Sequence, residues 1–164
     1  WAIINAGSNS KLASGICDVQ KMSNMGINLA VGTDGPSSNN ALDMFREMYL
    51  ISVLQKLKYN DAAAMDANEI LKAATSGSAK CMGLTDCDCI AEGKLADLMI
   101  IDLERPNMQP INNITKNLVY SGSKDDVKMT MINGKILYEN GEFVNIDKEE
   151  IYAKAQEICN RLKN

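Results

Sequence analysis

The chain has 164 residues, 46% hydrophobic and 23% charged, with a formal net charge of −4. These values suit a globular domain and argue against a nucleic-acid partner or an acidic membrane surface. No apolar run reaches the ~20 residues a bilayer crossing needs, and no secretory leader follows Trp1; five Cys without paired spacing point to reduced thiols in a cytoplasm.

In chain order, Trp1 to Asn5 reads as a short buried strand, and Ala6 to Gly15, rich in Gly, Ser and Asn, as a loop. Asp18 is placed to cap a helix through Met25 that Gly26 stops. Ile27 to Gly32 is a second strand. Strand, helix and strand in this length predict parallel pairing with a right-handed crossover. The second strand ends abruptly in Thr33-Asp34-Gly35-Pro36-Ser37-Ser38. Ligands of α/β folds lie outside the carboxyl ends of the strands, so Asp34 stands where a metal ligand or general base would stand. An Asp-Gly pair also makes ordinary turns, in which Asp34 would only cap. Lys11 reads as a pocket base or, the commoner role, a loop-anchoring cation.

Asn39 or Asn40 is expected to cap a helix to about Lys58. Ala41, Met44, Phe45, Met48 and Ile51 form its apolar face, with Asp43, Arg46 and Glu47 off that face. Its Met and Phe residues read as core filling. Asp66 caps a helix through Met82, with Glu69 at the third position of a capping box and Gly83 as the stop. After Gly83 the character changes. A Glu92-Gly93-Lys94 turn leads into a strand over Ala96 to Leu103, within which Asp97 ties turn to strand. Val127 to Ile132 and Lys135 to Tyr138 flank Asn133-Gly134, a strong hairpin signal, and Asn140-Gly141 makes a further turn. Asp147 caps a last helix through about Leu162, with Ile151, Ala155, Ile158 and Leu162 as its inner stripe. Cys87 and Cys89 form a C-x-C, a weak metal signal without partner ligands. The sequence contains no His, the commonest transition-metal ligand. With no initiator Met, that absence suggests a piece of something longer.

Four stretches carry a resemblance. They are Asn5 to Gly15 (Asn-Ala-Gly-Ser-Asn-Ser-Lys-Leu-Ala-Ser-Gly), Gly32-Thr33-Asp34-Gly35, Ser38-Asn39-Asn40, and Glu92-Gly93-Lys94-Leu95-Ala96-Asp97-Leu98. Together they resemble the amidohydrolase superfamily, in the branch of 5′-methylthioadenosine/S-adenosylhomocysteine deaminases and ring chlorohydrolases. The resemblance implies an α/β fold, a metal-dependent (β/α)8 barrel with a small β-sandwich built from both chain ends. Such a barrel takes roughly 250 residues, so this chain corresponds to its C-terminal part. Residues 1–83 would be the last βα units of a TIM-type barrel, 84–146 the C-terminal share of the sandwich, and 147–164 a terminal helix.

By the same resemblance Asp34 closes strand eight, binds the metal and takes a proton from the attacking water, and Ser38 is a substrate-pocket position. The metal, zinc or iron, belongs to the parent enzyme. Its H-x-H pair, further His ligands and proton-shuttling Glu lie outside the matched stretches, so none is expected on this portion alone. The implied parent activity is hydrolytic deamination of an adenosine-type nucleoside, the isolated chain being inactive. A chlorohydrolase, another amidohydrolase substrate such as guanine or cytosine, and a non-catalytic pseudoenzyme or structural fragment are the alternatives. The expected partner is a small nucleoside-like molecule, with no nucleic acid and no membrane. A homo-oligomer or a missing N-terminal portion would complete the fold. Ile4 stands where many members have His, Ala6 where they have Pro, and Ser10 where they have Leu.

Overall fold

β1 (Ala2–Ile4) and β2 (Leu29–Val31) pair in parallel, with Ile3 opposite Ala30, as the strand-helix-strand pattern predicts. The structure is a computed structural model that describes residues 1–163. It divides into two units, Trp1–Lys94 with Asp102–Asp126, and Leu95–Ile101 with Val127 onward. The units are therefore interleaved in sequence, whereas the sequence-based partition is consecutive.

The first unit departs from expectation directly after β1. Ala6–Lys11 is a helix, α1, not a loop. Gly, Ser and Asn are weak helix formers, so local propensity gives no hint of it. Its support is tertiary. The Gly7 N–H is bonded to Glu47 at 2.8 Å, and Lys11 is bonded to the loop after β2. α2 (Val19–Asn24) starts at Asp18, which accepts from the Lys21 N–H, and it ends before Gly26 at φ 72°. It buries Val19 against the β1–β2 core.

α3 (Met44–Tyr59) begins later than predicted. Its cap is Asp43, whose carboxylate accepts from Phe45 N at 3.0 Å and Arg46 N at 3.3 Å. Neither Asn39 nor Asn40 caps it. Leu42 takes a left-handed φ of 44°, which ends the preceding turn there. Phe45, Met48 and Ile51 are buried as expected, but Glu47, placed off the apolar face, is fully buried too.

Asp66 caps α4 (Ala67–Lys72) through the Asn68 N–H, while Glu69 reaches across to accept from Ser23 Oγ at 3.0 Å. The helix then widens into a π turn over Ala73–Gly77 and resumes as α5 (Ser78–Cys81), ending at Gly83 with φ 76°. The wide turn lays Gly77 and Ser78 along the outer edge of β2. Ser78 Oγ lies 3.1 Å from both Val31 N and Val31 O. A Cβ on Gly77 would stand 2.5 Å from Leu29 O, so this backbone contact requires glycine. A later helix, α6 (Ile114–Tyr120), went unassigned in the sequence. It is capped by Asn113, which accepts from Lys116 N at 2.9 Å.

The second unit is an antiparallel sheet in the order β3 (Leu98–Ile101), β4 (Val127–Ile132), β5 (Lys135–Glu139), β6 (Glu142–Phe143). Asn133 and Gly134, with φ of 47° and 73°, close the β4–β5 hairpin, and Asn133 N donates to Asp97 Oδ1 at 2.7 Å. α7 (Lys148–Leu162) starts at Asp147 as predicted. Its stripe is not an inner one, because Ile151, Ile158 and Leu162 are 52%, 47% and 82% exposed. The helical spacing is real, but nothing among the described residues buries it. No helix among the described residues is long and apolar enough to cross a membrane.

Candidate active site

β2 ends at Val31, and the chain turns at once into Gly32-Thr33-Asp34-Gly35. Asp34 lies just beyond the strand's carboxyl end, at the tip position read from the sequence, and is exposed. It holds a left-handed φ of 59°, a conformation Asp tolerates better than most residues. Both carboxylate oxygens are engaged. Oδ2 accepts from Ser8 Oγ at 2.7 Å, and Oδ1 accepts from the Gly35 N–H at 2.8 Å.

The Ser38 hydroxyl, then the Ser8 hydroxyl, then the Gly35 amide hold the Asp34 carboxyl below its ordinary value of 3.8. The Ser38 hydroxyl also lies within 3.0 Å of Gly35 O, to which it can donate. The bonds from Ser8 and Gly35 fix the geometry. Ser38 is half-buried beside the carboxylate, which is where a pocket residue would sit.

A second layer lies beneath. Glu47 accepts from Gly7 N at 2.8 Å through Oε2 and from Asn39 Nδ2 at 2.6 Å through Oε1. Asn39, itself buried, accepts from the Ala41 N–H at 3.3 Å. The Lys11 ammonium donates to Ser37 O at 2.9 Å and Asn40 Oδ1 at 2.6 Å, so Lys11 anchors the loop. Sequence reasoning missed Ser8 and Glu47. A Ser two positions into a Gly-Ser-Asn stretch and a Glu inside an amphipathic helix both look like surface. The one available signal was that Glu47 sits one residue before Met48 on the buried face.

The departures from the family pattern have local consequences. Ile4 is buried in the apolar core, where a His would be polar. Ala6 is the first residue of α1, a position that accepts Pro without loss of a hydrogen bond.

An ionised carboxylate just past a strand end supplies an oxygen donor of the kind zinc accepts. It supplies only one. Among the described residues no group of three Cys, Asp or Glu could hold a metal ion.

This strand-tip carboxylate, on a βα unit followed by a small antiparallel sheet, defines a class. The Amidohydrolase family matches residues 3–137, and the chain belongs to that family. It is 40% identical over 163 residues to the 5-methylthioadenosine/S-adenosylhomocysteine deaminase of Clostridium tetani, covering 99% of this chain and 38% of that protein. It is 45% identical over 147 residues to the Pyrococcus furiosus protein of the same name, covering 90% and 35%. A zinc-bound adenosine deaminase from Xanthomonas campestris superposes with a TM-score of 0.95 at 37% identity, over 98% of this chain and 37% of that one. The atrazine chlorohydrolase TrzN of Arthrobacter aurescens, complexed with zinc, shares the fold at TM-score 0.86 and 24% identity, over 94% of this chain and 35% of that one. The chain thus spans a little over a third of the length of these relatives.

Proposed function

We propose that the protein carrying this chain is a metal-dependent hydrolase that removes the amino group of an adenosine-type nucleoside, of the methylthioadenosine or S-adenosylhomocysteine class. The observation that carries the reading is Asp34, a carboxylate held ionised at the carboxyl end of β2 in a chain 40% identical to a named deaminase. Residues 1–83 serve as the last βα units of a TIM-type barrel, 84–146 as the C-terminal share of a small β-sandwich, and 147–164 as a terminal helix. The protein works in the cytoplasm with no nucleic-acid or membrane partner, its fold completed by a homo-oligomer or by a missing N-terminal portion. The 164 residues by themselves are inactive.

Asp34 is one metal ligand and the proton acceptor, and Ser38 lines the substrate pocket. A bound divalent metal, zinc or iron, would supply a water acidified to a pKa of about 7. Asp34 is held well below that value, so it is a weak base toward bulk water and suits only such an acidified partner. Ser8 and Gly35 occupy one lone pair on each carboxylate oxygen and leave others free. Asp34 takes the proton of the attacking water and returns it to the departing nitrogen, which leaves as ammonia.

The test is release of ammonia from adenosine, methylthioadenosine and S-adenosylhomocysteine by the full-length protein. Asp34→Asn should lower kcat/KM by at least about 100-fold. No turnover of any of the three, or full activity of Asp34→Asn, overturns the reading. Turnover of atrazine alone would select the chlorohydrolase branch.

A further inference from the structure

We infer that Glu47 is a positioning residue for Asp34, a role that rests on Asp34 being the reactive carboxylate. Glu47 is fully buried on α3, and the reaction as proposed gives it no task. No salt bridge or hydrogen bond in the structure pairs it with a Lys or Arg among the described residues. A carboxylate removed from water without a cation is costly to keep unless its oxygens are satisfied. Here each oxygen faces a donor, and the donors come from the two segments that shape the Asp34 site. Oε2 holds the Gly7 N–H, one residue before the Ser8 whose hydroxyl orients Asp34. Oε1 holds Asn39, five residues past Asp34 on the same loop. One side chain therefore sets the spacing between the hydroxyl that grips the carboxylate and the loop that carries it.

The approach is tight. A Cβ on Gly7 would lie 2.2 Å from Glu47 Oε1 and 2.8 Å from Asn39 Nδ2. Glycine at position 7 is what lets the carboxylate come this close. The chemistry is also specific to a carboxylate, because both neighbours are donors. Gln has the same shape but presents one oxygen and one NH2 group. With Gln at 47, either Gly7 or Asn39 faces a donor, and the clamp opens on one side. Reversing the Asn39 amide would not repair it, since Asn39 Oδ1 already serves the Ala41 N–H.

The experiment uses the full-length, zinc-loaded protein with adenosine as substrate. It compares Glu47→Gln, Ser8→Ala and the double variant, with kcat expressed per bound zinc and the rate of zinc loss to EDTA as a second readout. Glu47→Gln should lower kcat per zinc about 10- to 100-fold and speed zinc loss, while KM changes less than about threefold. Ser8→Ala should act in the same direction. The double variant should fall no further than the worse single, because both changes break one path. Unchanged kcat and unchanged zinc loss in Glu47→Gln, with only a lower Tm, overturn the inference. So do additive losses in the double variant. If Glu47→Gln does not fold, Ser8→Ala decides, and wild-type kcat and zinc loss there overturn the path. Full activity of Asp34→Asn instead removes the reading on which the inference rests, and is told apart by that variant alone.

Discussion

Asp34, which accepts a hydrogen bond on each carboxylate oxygen, is a fixed point in its loop, and it is one of several Asp residues whose carboxyl is held down by its partners. Asp18, Asp66 and Asp88 are also held below the ordinary aspartate value of 3.8. The leading causes are the Tyr59 hydroxyl for Asp18, the Asn68 amide for Asp66 and the Lys94 ammonium for Asp88. In each the folded pKa lies below the unfolded one. The stabilisation is therefore complete above pH 3.8 and is lost as pH falls through the depressed folded values. Lys94 is raised by Asp88, so its share is complete below the ordinary 10.5 and lost as pH rises beyond that. Chemical denaturation should accordingly give a midpoint that is level near neutrality and drops below about pH 4. A midpoint unchanged down to pH 2.5, or about that, would contradict these assignments. The position of Asp34 was legible in the sequence, because the apolar run from Ile27 ends at a lone acid before a Gly-Pro turn. Glu47 was not legible. Its burial depends on donors eight and 40 residues away, which no local pattern records.

Among the elements, the helices capped by Asp18, Asp66 and Asp147 were read well, while α1, α6 and the start of α3 were not. Asp18, Asp66 and Asp147 each cap where the sequence places them. α1 was missed because Gly7, Ser8 and Asn9 disfavour a helix until α3 and the loop hold it. α6 was missed because seven residues are too few for a clear period. The π turn at Ala73–Gly77 was invisible for another reason. It answers to the edge of β2, where Leu29 O leaves no room for a side chain. Gly77→Ala should therefore destabilise the first unit by about 1–3 kcal/mol through overpacking, whatever Ala gains in helix propensity. Urea unfolding followed by circular dichroism measures it. A stabilised Gly77→Ala would mean that the contact is looser than drawn.

At the scale of the whole molecule, the chain spans about a third of its relatives' length and carries one proposed metal ligand, Asp34. Purified alone, residues 1–164 should retain zinc well below one equivalent after dialysis, by elemental analysis, and release no ammonia from adenosine. A catalytic zinc takes about three protein donors, and Asp34 is the one donor proposed here. Stoichiometric zinc on the isolated chain would require a donor set not apparent among the described residues. The hairpin turns of the second unit carry a different kind of consequence. Asn133-Gly134 and Asn140-Gly141 are exposed, and in each the nitrogen following Asn belongs to a residue without a Cβ. Such a nitrogen can attack the carbonyl carbon of the Asn side chain and expel ammonia, and water then reopens the ring with an extra methylene in the backbone. The two dipeptides that set the register of the small sheet are thus the places where the protein keeps a chemical record of its age.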